Sequence, residues 1–247
     1  MLENRYVVVV RPNFETATQY GSYYQFEYVI KKCREMGIPF IDLYKDDACK
    51  PKFDEAIRGV NPVLITGTGH GNETLFTAQG YDKLLQKGKV EDAQLIYGRW
   101  LSLLSCRFGN SFDWWIEKGV SGMFGYTRDF YFVGSEYPNS VAVLFFDAHH
   151  SWDIGWMTMK TTEEVWAWNT QVWNRHISEA KPEVARYLVW DRDSRVFKGD
   201  WKTTPFSGVP PPPPKYKIKI TGVNKESFWG RIQGKVLIEG EAELERI

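Results

Sequence analysis

The sequence predicts an α/β fold, a three-layer α/β/α sandwich around a six-stranded, mainly parallel sheet, and three observations carry that prediction. Short apolar runs of strand character alternate with segments of helical periodicity along the first two hundred residues, the signature of right-handed strand–helix–strand crossovers. The first run, Tyr6 to Val10, is continuously β-branched rather than alternating, as expected of a central strand buried on both faces. Five consecutive prolines, Pro210 to Pro214, then end this pattern and isolate a tail of a different character.

Taken in order, Arg11-Pro12-Asn13 closes the first strand. From Thr16 to Met36 the residues Tyr20, Tyr23, Tyr24, Val29, Ile30 and Cys33 recur at helical spacing, with Gly37 as the stop. The second strand is Pro39 to Leu43, a short helix runs from Lys52 to Arg58 and ends at Gly59, and Val63 to Thr66 is the third strand. The segment NETLFTAQGYDKLLQKG reads as a small hairpin or loop followed by a short helix. Arg99 to Ser105 is the fourth strand, residues 111–118 a helix stopped by Gly119, and Val120 to Gly125 the fifth strand. Helices follow at Asn139 to His149, at Thr162 to Ala180 with a capped Thr-Thr-Glu-Glu start, and at Glu183 to Trp190. Val165, Trp168, Val172 and Trp173 form a stripe expected to cover the sheet. The sixth strand is Arg195 to Lys198.

The expected organisation is a main domain over residues 1–204, a proline-rich linker over 205–215 and a β segment over 216–247. The tail alternates strictly in YKIKITGV, and SFWGRIQG and KVLIEGEAELERI also read as strands. Some 32 residues are too few to fold alone with confidence, so the tail is expected to add to a sheet edge, to cover a cleft or to pair between chains as an oligomer contact.

Lys plus Arg and Asp plus Glu both number 31, giving zero formal charge, so bulk electrostatics advertise neither a nucleic-acid nor a membrane partner. Cys33, Cys49 and Cys106 show no disulfide or zinc spacing, which suits a reducing compartment. With no signal-peptide pattern and no apolar run of membrane-spanning length, a soluble cytoplasmic protein is expected. Cys33 reads as a packing residue and Cys49 as incidental. Aromatic residues make up 16% of the chain, with 11 Trp, enough that some rings are expected to line a cleft.

The chemistry concentrates between two strand ends. Val63-Leu64-Ile65 leads to His70-Gly71, and Leu101, Leu103 and Leu104 lead to Ser105-Cys106. Ligands of open α/β sheets bind beyond the carboxyl ends of the strands, where a thiol and an imidazole could face one peptide bond. This arrangement of apolar block, His-Gly, spacer, second apolar block and small residue before Cys resembles the caspase-like superfamily of cysteine peptidases, which also contains legumains, gingipains, clostripains and separase. GVSGMFGYTRDF and RVFKGD resemble its next strand with loop and its last core strand, so the resemblance covers roughly residues 5–205. It departs from true caspases, because Cys106 is followed by Arg107-Phe108-Gly109 and not by the caspase signature.

The resemblance implies a caspase-hemoglobinase-like fold and a thiol protease acting on protein or peptide substrates, with no cofactor. Cys106 is the implied nucleophile, favoured as thiolate by the following helix N-terminus; His70 is the proton carrier, and the N–H groups of Gly71 and Cys106 form the oxyanion hole. Arg107, Arg128 and Asp129, with Phe130 and Tyr131, occupy the places from which the family builds its substrate pocket. Arg128 and Asp129 imply opposite charge preferences, so the residue preceding the cut stays open. Calcium regulation, as in some relatives, also stays open.

Other patterns compete. Gly67-x-Gly69-x-Gly71 has Asn72 where a dinucleotide fingerprint needs its third Gly. Asp147, His149, His150 and Asp153 suggest a metal cluster, but i and i+2 neighbours on a helix do not converge and a polar helix end explains them, so no metal is expected. No Gly-x-Ser-x-Gly elbow is present. Two alternatives of other classes are a catalytically idle caspase-like scaffold for protein–protein interaction and a sugar-binding module using exposed Trp.

Overall fold

A computed structural model describes residues 5–134, 141–207, 216–220 and 242–246, and the chain divides into two units, 1–211 and 212–247. In the first unit the order is β1 (Val7–Arg11), α1 (Thr16–Gln25), a π-helical segment (Phe26–Ile30), α2 (Lys31–Met36), β2 (Phe40–Tyr44), α3 (Lys50–Val60), β3 (Leu64–Thr68), β4 (His70–Gly71), β5 (Leu75–Thr77), β6 (Lys83–Gln86), α4 (Val90–Leu95), β7 (Trp100–Leu104), α5 (Phe112–Glu117), β8 (Gly122–Tyr126), α6 (Ala142–Thr158), α7 (Thr162–Glu179), α8 (Pro182–Ser194) and β9 (Arg195–Gly199).

The main sheet has six strands in the order β2-β1-β3-β7-β8-β9. All neighbours are parallel except β8 and β9. The Val run of β1 is fully buried, because Val8 and Val10 face one helical layer while Val7 and Val9 face the other. Phe53 and Ile57 of α3, Phe112 and Trp115 of α5 and Leu84 and Leu85 of β6 pack on the Val8 side. Val29, Ile30, Cys33, Trp152 and Trp156 pack on the Val7 side. Each fully buried large side chain contributes about 1.5–3 kcal/mol relative to exposure, and among the described residues four Trp side chains, Trp115, Trp152, Trp156 and Trp173, are of this kind.

Several sequence expectations change in detail. The helix over 16–36 is interrupted by the π-helical residues 26–30. Helix α3 runs past Gly59 and stops at Asn61, which takes the left-handed conformation (φ 50°). KLLQ, expected as helix, is strand β6, because Leu84 and Leu85 are both buried beside β5 and its partner loop. The α7 stripe does not lie on the sheet as a whole: Val165 reaches the Trp152 cluster, while Val172 and Trp173 pack with α6 and α8 residues such as Phe145 and Leu188. Helix α6 is the layer against the sheet, and α7 covers α6. The α7 start is capped as expected, Thr161 Oγ1 accepting from the Glu164 N–H at 3.2 Å and Glu164 Oε2 accepting from the Thr161 N–H at 3.1 Å.

In the second unit, β10 (Tyr216–Ile220) pairs antiparallel with β11 (Ala242–Arg246). The proline run and SFWGRIQG lie outside the described residues. Among those residues no helix is long and apolar enough to cross a membrane.

Candidate active site

The pairing of β3 with β7 sets the site. Thr68 is in register with Leu104, and the Gly69 N–H extends the ladder by donating to the Leu104 carbonyl at 3.0 Å. One residue further on, His70 leaves the main sheet and starts the small sheet β4-β5-β6. No side chain fits at this crossing, since a Cβ on Gly69 would overlap the Thr77 carbonyl. A Cβ on Gly71 would stand 2.9 Å from both the Cys106 carbonyl oxygen and the Ser105 Oγ. The His70-Gly71 and Ser105-Cys106 segments are therefore in backbone contact at the carboxyl edge of the two central strands.

Backbone direction at Gly71 follows from the hairpin. The Asn72 N–H donates to the Leu75 carbonyl at 3.1 Å, so with alternating pairs the next hydrogen-bonded pair is His70 with Thr77, and Gly71 opposite Phe76 is a non-bonded pair. Its N–H points away from β5 and is free of the small sheet's ladder.

The His70 ring is held from three sides. Its Nε2 makes a short contact to Glu15 Oε1, while Tyr81 donates its hydroxyl to Glu15 Oε2 at 3.3 Å. Phe14 stands edge-on to both rings, with centroids 6.1 Å from His70 and 5.0 Å from Tyr81. With Nε2–H donated to Glu15, Nδ1 is the basic nitrogen of the neutral ring. His70 and Glu15 side chains are both about one-third exposed, at 35% and 34%. The sequence reading missed Glu15. The available signal was positional: it follows β1, a central strand, on the loop at the same carboxyl edge.

Cys106 is half-buried. Its thiol is pushed above its ordinary value chiefly by burial, with the Asp129 and Asp191 carboxylates adding in the same direction. A hydrogen bond with the Phe130 backbone and the Arg107 charge pull the other way. This corrects the expected thiolate: α5 starts only at Phe112, after a left-handed Arg107 (φ 59°) and a 3₁₀ turn over Phe108–Ser111, so no helix N-terminus abuts the sulfur.

The pocket candidates neutralise one another. Arg107 donates through Nε and Nη2 to the two carboxylate oxygens of Asp129, both at 2.8 Å, and its Nη1 lies 3.8 Å from Glu73. The Arg107 N–H donates to the Arg128 carbonyl at 3.1 Å, which ties the Cys106 turn to the rim loop. Arg128 stacks over Trp190 at 4.8 Å, and Trp190 Nε1 donates to the Asp129 carbonyl. Tyr131 gives its N–H to Asp191 Oδ1 at 3.0 Å; the other Asp191 oxygen has no hydrogen-bond partner, and burial holds this carboxyl well above the usual carboxylate range. Like Glu15, Asp191 was not picked out from sequence. A cavity of about 390 Å³ lined by Ile57, Asn61, Gln94 and Arg99 lies at the opposite, amino edge of the strands, away from these groups.

No protein-family model matches the sequence, and no curated protein matches it. Solved structures do. The complex of the pro- and mature domains of RgpB from Porphyromonas gingivalis is similar at a TM-score of 0.55 and 12% identity, over 89% of this chain and 52% of that one. The Arg-specific cysteine proteinase gingipain R is similar at a TM-score of 0.53 and 12% identity, over 89% and 50%. A third structure, described as that of a protease, has a TM-score of 0.51 at 12% identity. The chain thus spans about half the length of these structures, and what it shares with them is their α/β fold.

Proposed function

We propose that the protein is a cysteine endopeptidase in which Cys106 is the nucleophile, His70 the proton carrier and Glu15 the residue that positions His70. The observation carrying this reading is the contact of the His70-Gly71 and Ser105-Cys106 segments at the carboxyl edge of β3 and β7, with the Nε2 side of the imidazole already engaged by Glu15. Because the resting thiol is neutral, its proton leaves when the substrate carbonyl is seated, and His70 Nδ1 accepts it. The sulfur then adds to the carbonyl carbon. The developing oxyanion accepts from the Gly71 and Cys106 N–H groups, donors of a kind worth about 3 kcal/mol each. Collapse of the adduct breaks the C–N bond as the imidazolium protonates the departing amine, leaving an acyl-thioester; His70 then takes a proton from the attacking water, and the carboxylic acid product and free thiol are released. The substrate class is protein or peptide. Since Arg107 and Asp129 hold each other's charge, neither sets the residue preceding the cut unless a substrate parts them.

A second reading, the catalytically idle scaffold, is favoured by one observation, the half-burial of Cys106 that pushes its thiol above the ordinary value. A positional-scanning peptide library on the wild type, Cys106→Ala and His70→Ala separates the two. Turnover by the wild type that vanishes in both variants, with their circular dichroism unchanged, supports the peptidase. No turnover of any peptide by the folded wild type sinks it in favour of the scaffold.

A further inference from the structure

A concentrated group of unmatched polar atoms lies apart from His70 and Cys106, inside helix α6. His149, His150 and Asp153 are each 0% exposed, in the middle of the helix and not at a polar end as their sequence suggested. Their spacing is i, i+1 and i+4, and the side chains do converge: one donor atom from each lies within 4.8 Å of the other two. His150 Nδ1 is 2.8 Å from Asp153 Oδ2, and His149 Nδ1 is 2.9 Å from the Tyr126 hydroxyl. After these contacts His149 Nε2, His150 Nε2 and Asp153 Oδ1 remain shut from solvent without a hydrogen-bond partner. A partly satisfied buried network is less favourable than an apolar filling, so three orphans within one helical turn point to an occupant.

The layer facing this cluster is polar too. Gln25 donates to Thr66 Oγ1 at 3.1 Å, leaving Gln25 Oε1 unmatched, and Ser102 Oγ is unmatched as well. Ser102 lies between Thr66 and Phe124 in the strand register, and the Phe124 ring stacks on His149 at 5.8 Å. Strands β3, β7 and β8 thus present acceptors and a ring to the same side of the sheet as the α6 group.

We propose that His149, His150 and Asp153 bind one divalent first-row transition ion, with zinc the first candidate, as a buried structural site. Two imidazoles and one carboxylate make a nitrogen-rich donor set. Calcium, which takes six to eight oxygens, and magnesium, which keeps an octahedral oxygen shell, do not suit it. The Tyr126 hydroxyl supplies the outer-shell partner that fixes a ligating imidazole: with His149 Nδ1–H donated to the phenolic oxygen, Nε2 keeps its lone pair for the metal. Three protein donors leave a fourth tetrahedral position open to a water. No residue is shared with the peptidase reading, so either stands without the other.

The test uses the full chain, stripped of metal by chelator during refolding and then titrated with Zn²⁺ or Co²⁺. Elemental analysis should find one ion per chain, and zinc at a hundredfold above its dissociation constant should raise the thermal midpoint by roughly 5–10 °C. Cobalt should give the visible absorption of a low-coordinate site. Only four histidines exist in the sequence. Asp153→Asn and His149→Phe should therefore weaken binding at least roughly a hundredfold, while His70→Ala leaves it unchanged. Should both cluster variants fail to fold, the cobalt spectrum and the zinc-dependent midpoint of the wild type decide alone. A wild type that takes up no ion and keeps its midpoint holds only internal water there, and the proposal falls. Binding that survives in folded Asp153→Asn and His149→Phe overturns it equally.

Discussion

Two of the domain's histidine–carboxylate pairs are similar in composition and opposite in surroundings. Glu15–His70 sits at the carboxyl edge of the sheet with both side chains about one-third exposed, whereas His150–Asp153 lies within α6 with both at 0%. An imidazole open to solvent can exchange protons with a substrate and with water during each turnover. One sealed among aromatic rings cannot, so its lone pairs serve packing, structure or a bound ion. The difference teaches that the residue pair does not determine the chemistry; the layer of the fold that receives it does.

The comparison breaks most visibly at the open pair. Cys106→Ala and His70→Ala should each lower kcat by about 10⁴-fold or more without unfolding the chain, measured on the best library peptide; a residual rate within tenfold of wild type would remove these residues from the reaction. Glu15→Gln keeps the shape of the positioning side chain but not its charge. It should lower kcat by roughly a hundredfold with KM nearly unchanged and shift the acid limb of the kcat profile; an effect on KM alone would make Glu15 merely a loop anchor. At the sealed pair the same kind of change should register as stability. Asp153→Ala leaves a buried imidazole without its partner and should cost at least about 1–3 kcal/mol in urea denaturation, with peptide turnover at saturating substrate preserved.

The smallest effect sharpens the boundary between the two environments. Asp191 is buried yet adjoins the Cys106 rim, and its folded carboxyl titrates well above the ordinary 3.8. Between 3.8 and the raised value the native state keeps a proton that the unfolded chain has lost. Stability contributed by this group is therefore full below pH 3.8 and falls as pH rises through the window. Asp191→Asn should flatten that fall and gain on the wild type as pH increases above 3.8; parallel curves for the two proteins would contradict it. The same variant removes one of the charges raising the Cys106 thiol, so iodoacetamide should alkylate Cys106 faster at a fixed pH. Cys33, fully buried and pushed up to about 12, should stay unmodified in both.

How much of this was legible in the sequence depended on distance along the chain. The six strands and their order of appearance could be read because each is a local apolar run, and the His-Gly and Ser-Cys punctuation marked two strand ends directly. Glu15 was missed because its contact with His70 exists only once β1 lies beside β3, and its place on the loop after a central strand was the one signal on offer. The thiolate expectation failed on five residues: a left-handed Arg107 and the 3₁₀ turn over Phe108–Ser111 separate the sulfur from α5. The α6 cluster was misread for a different reason. Polar residues in VLFFDAHHSWDIGWMT looked like a solvated end, but α6 lies between the sheet and α7, so His149, His150 and Asp153 fall on its enclosed faces while Asp147 stays partly exposed.

The π-helical turn at Phe26–Ile30 has its own consequence. A π turn closes each ring with one residue more than an α turn, so the chain carries slack there and nowhere else between Tyr20 and Cys33. Deleting one residue within 26–30 would let the helix wind regularly while Tyr20 and Cys33 keep their orientations. A deletion elsewhere between Tyr20 and Cys33 would rotate one part of the helix against the other by about 100° and bring Cys33 or Tyr20 out of the core. Length changes in this helix are thus tolerable within residues 26–30 and not elsewhere between Tyr20 and Cys33.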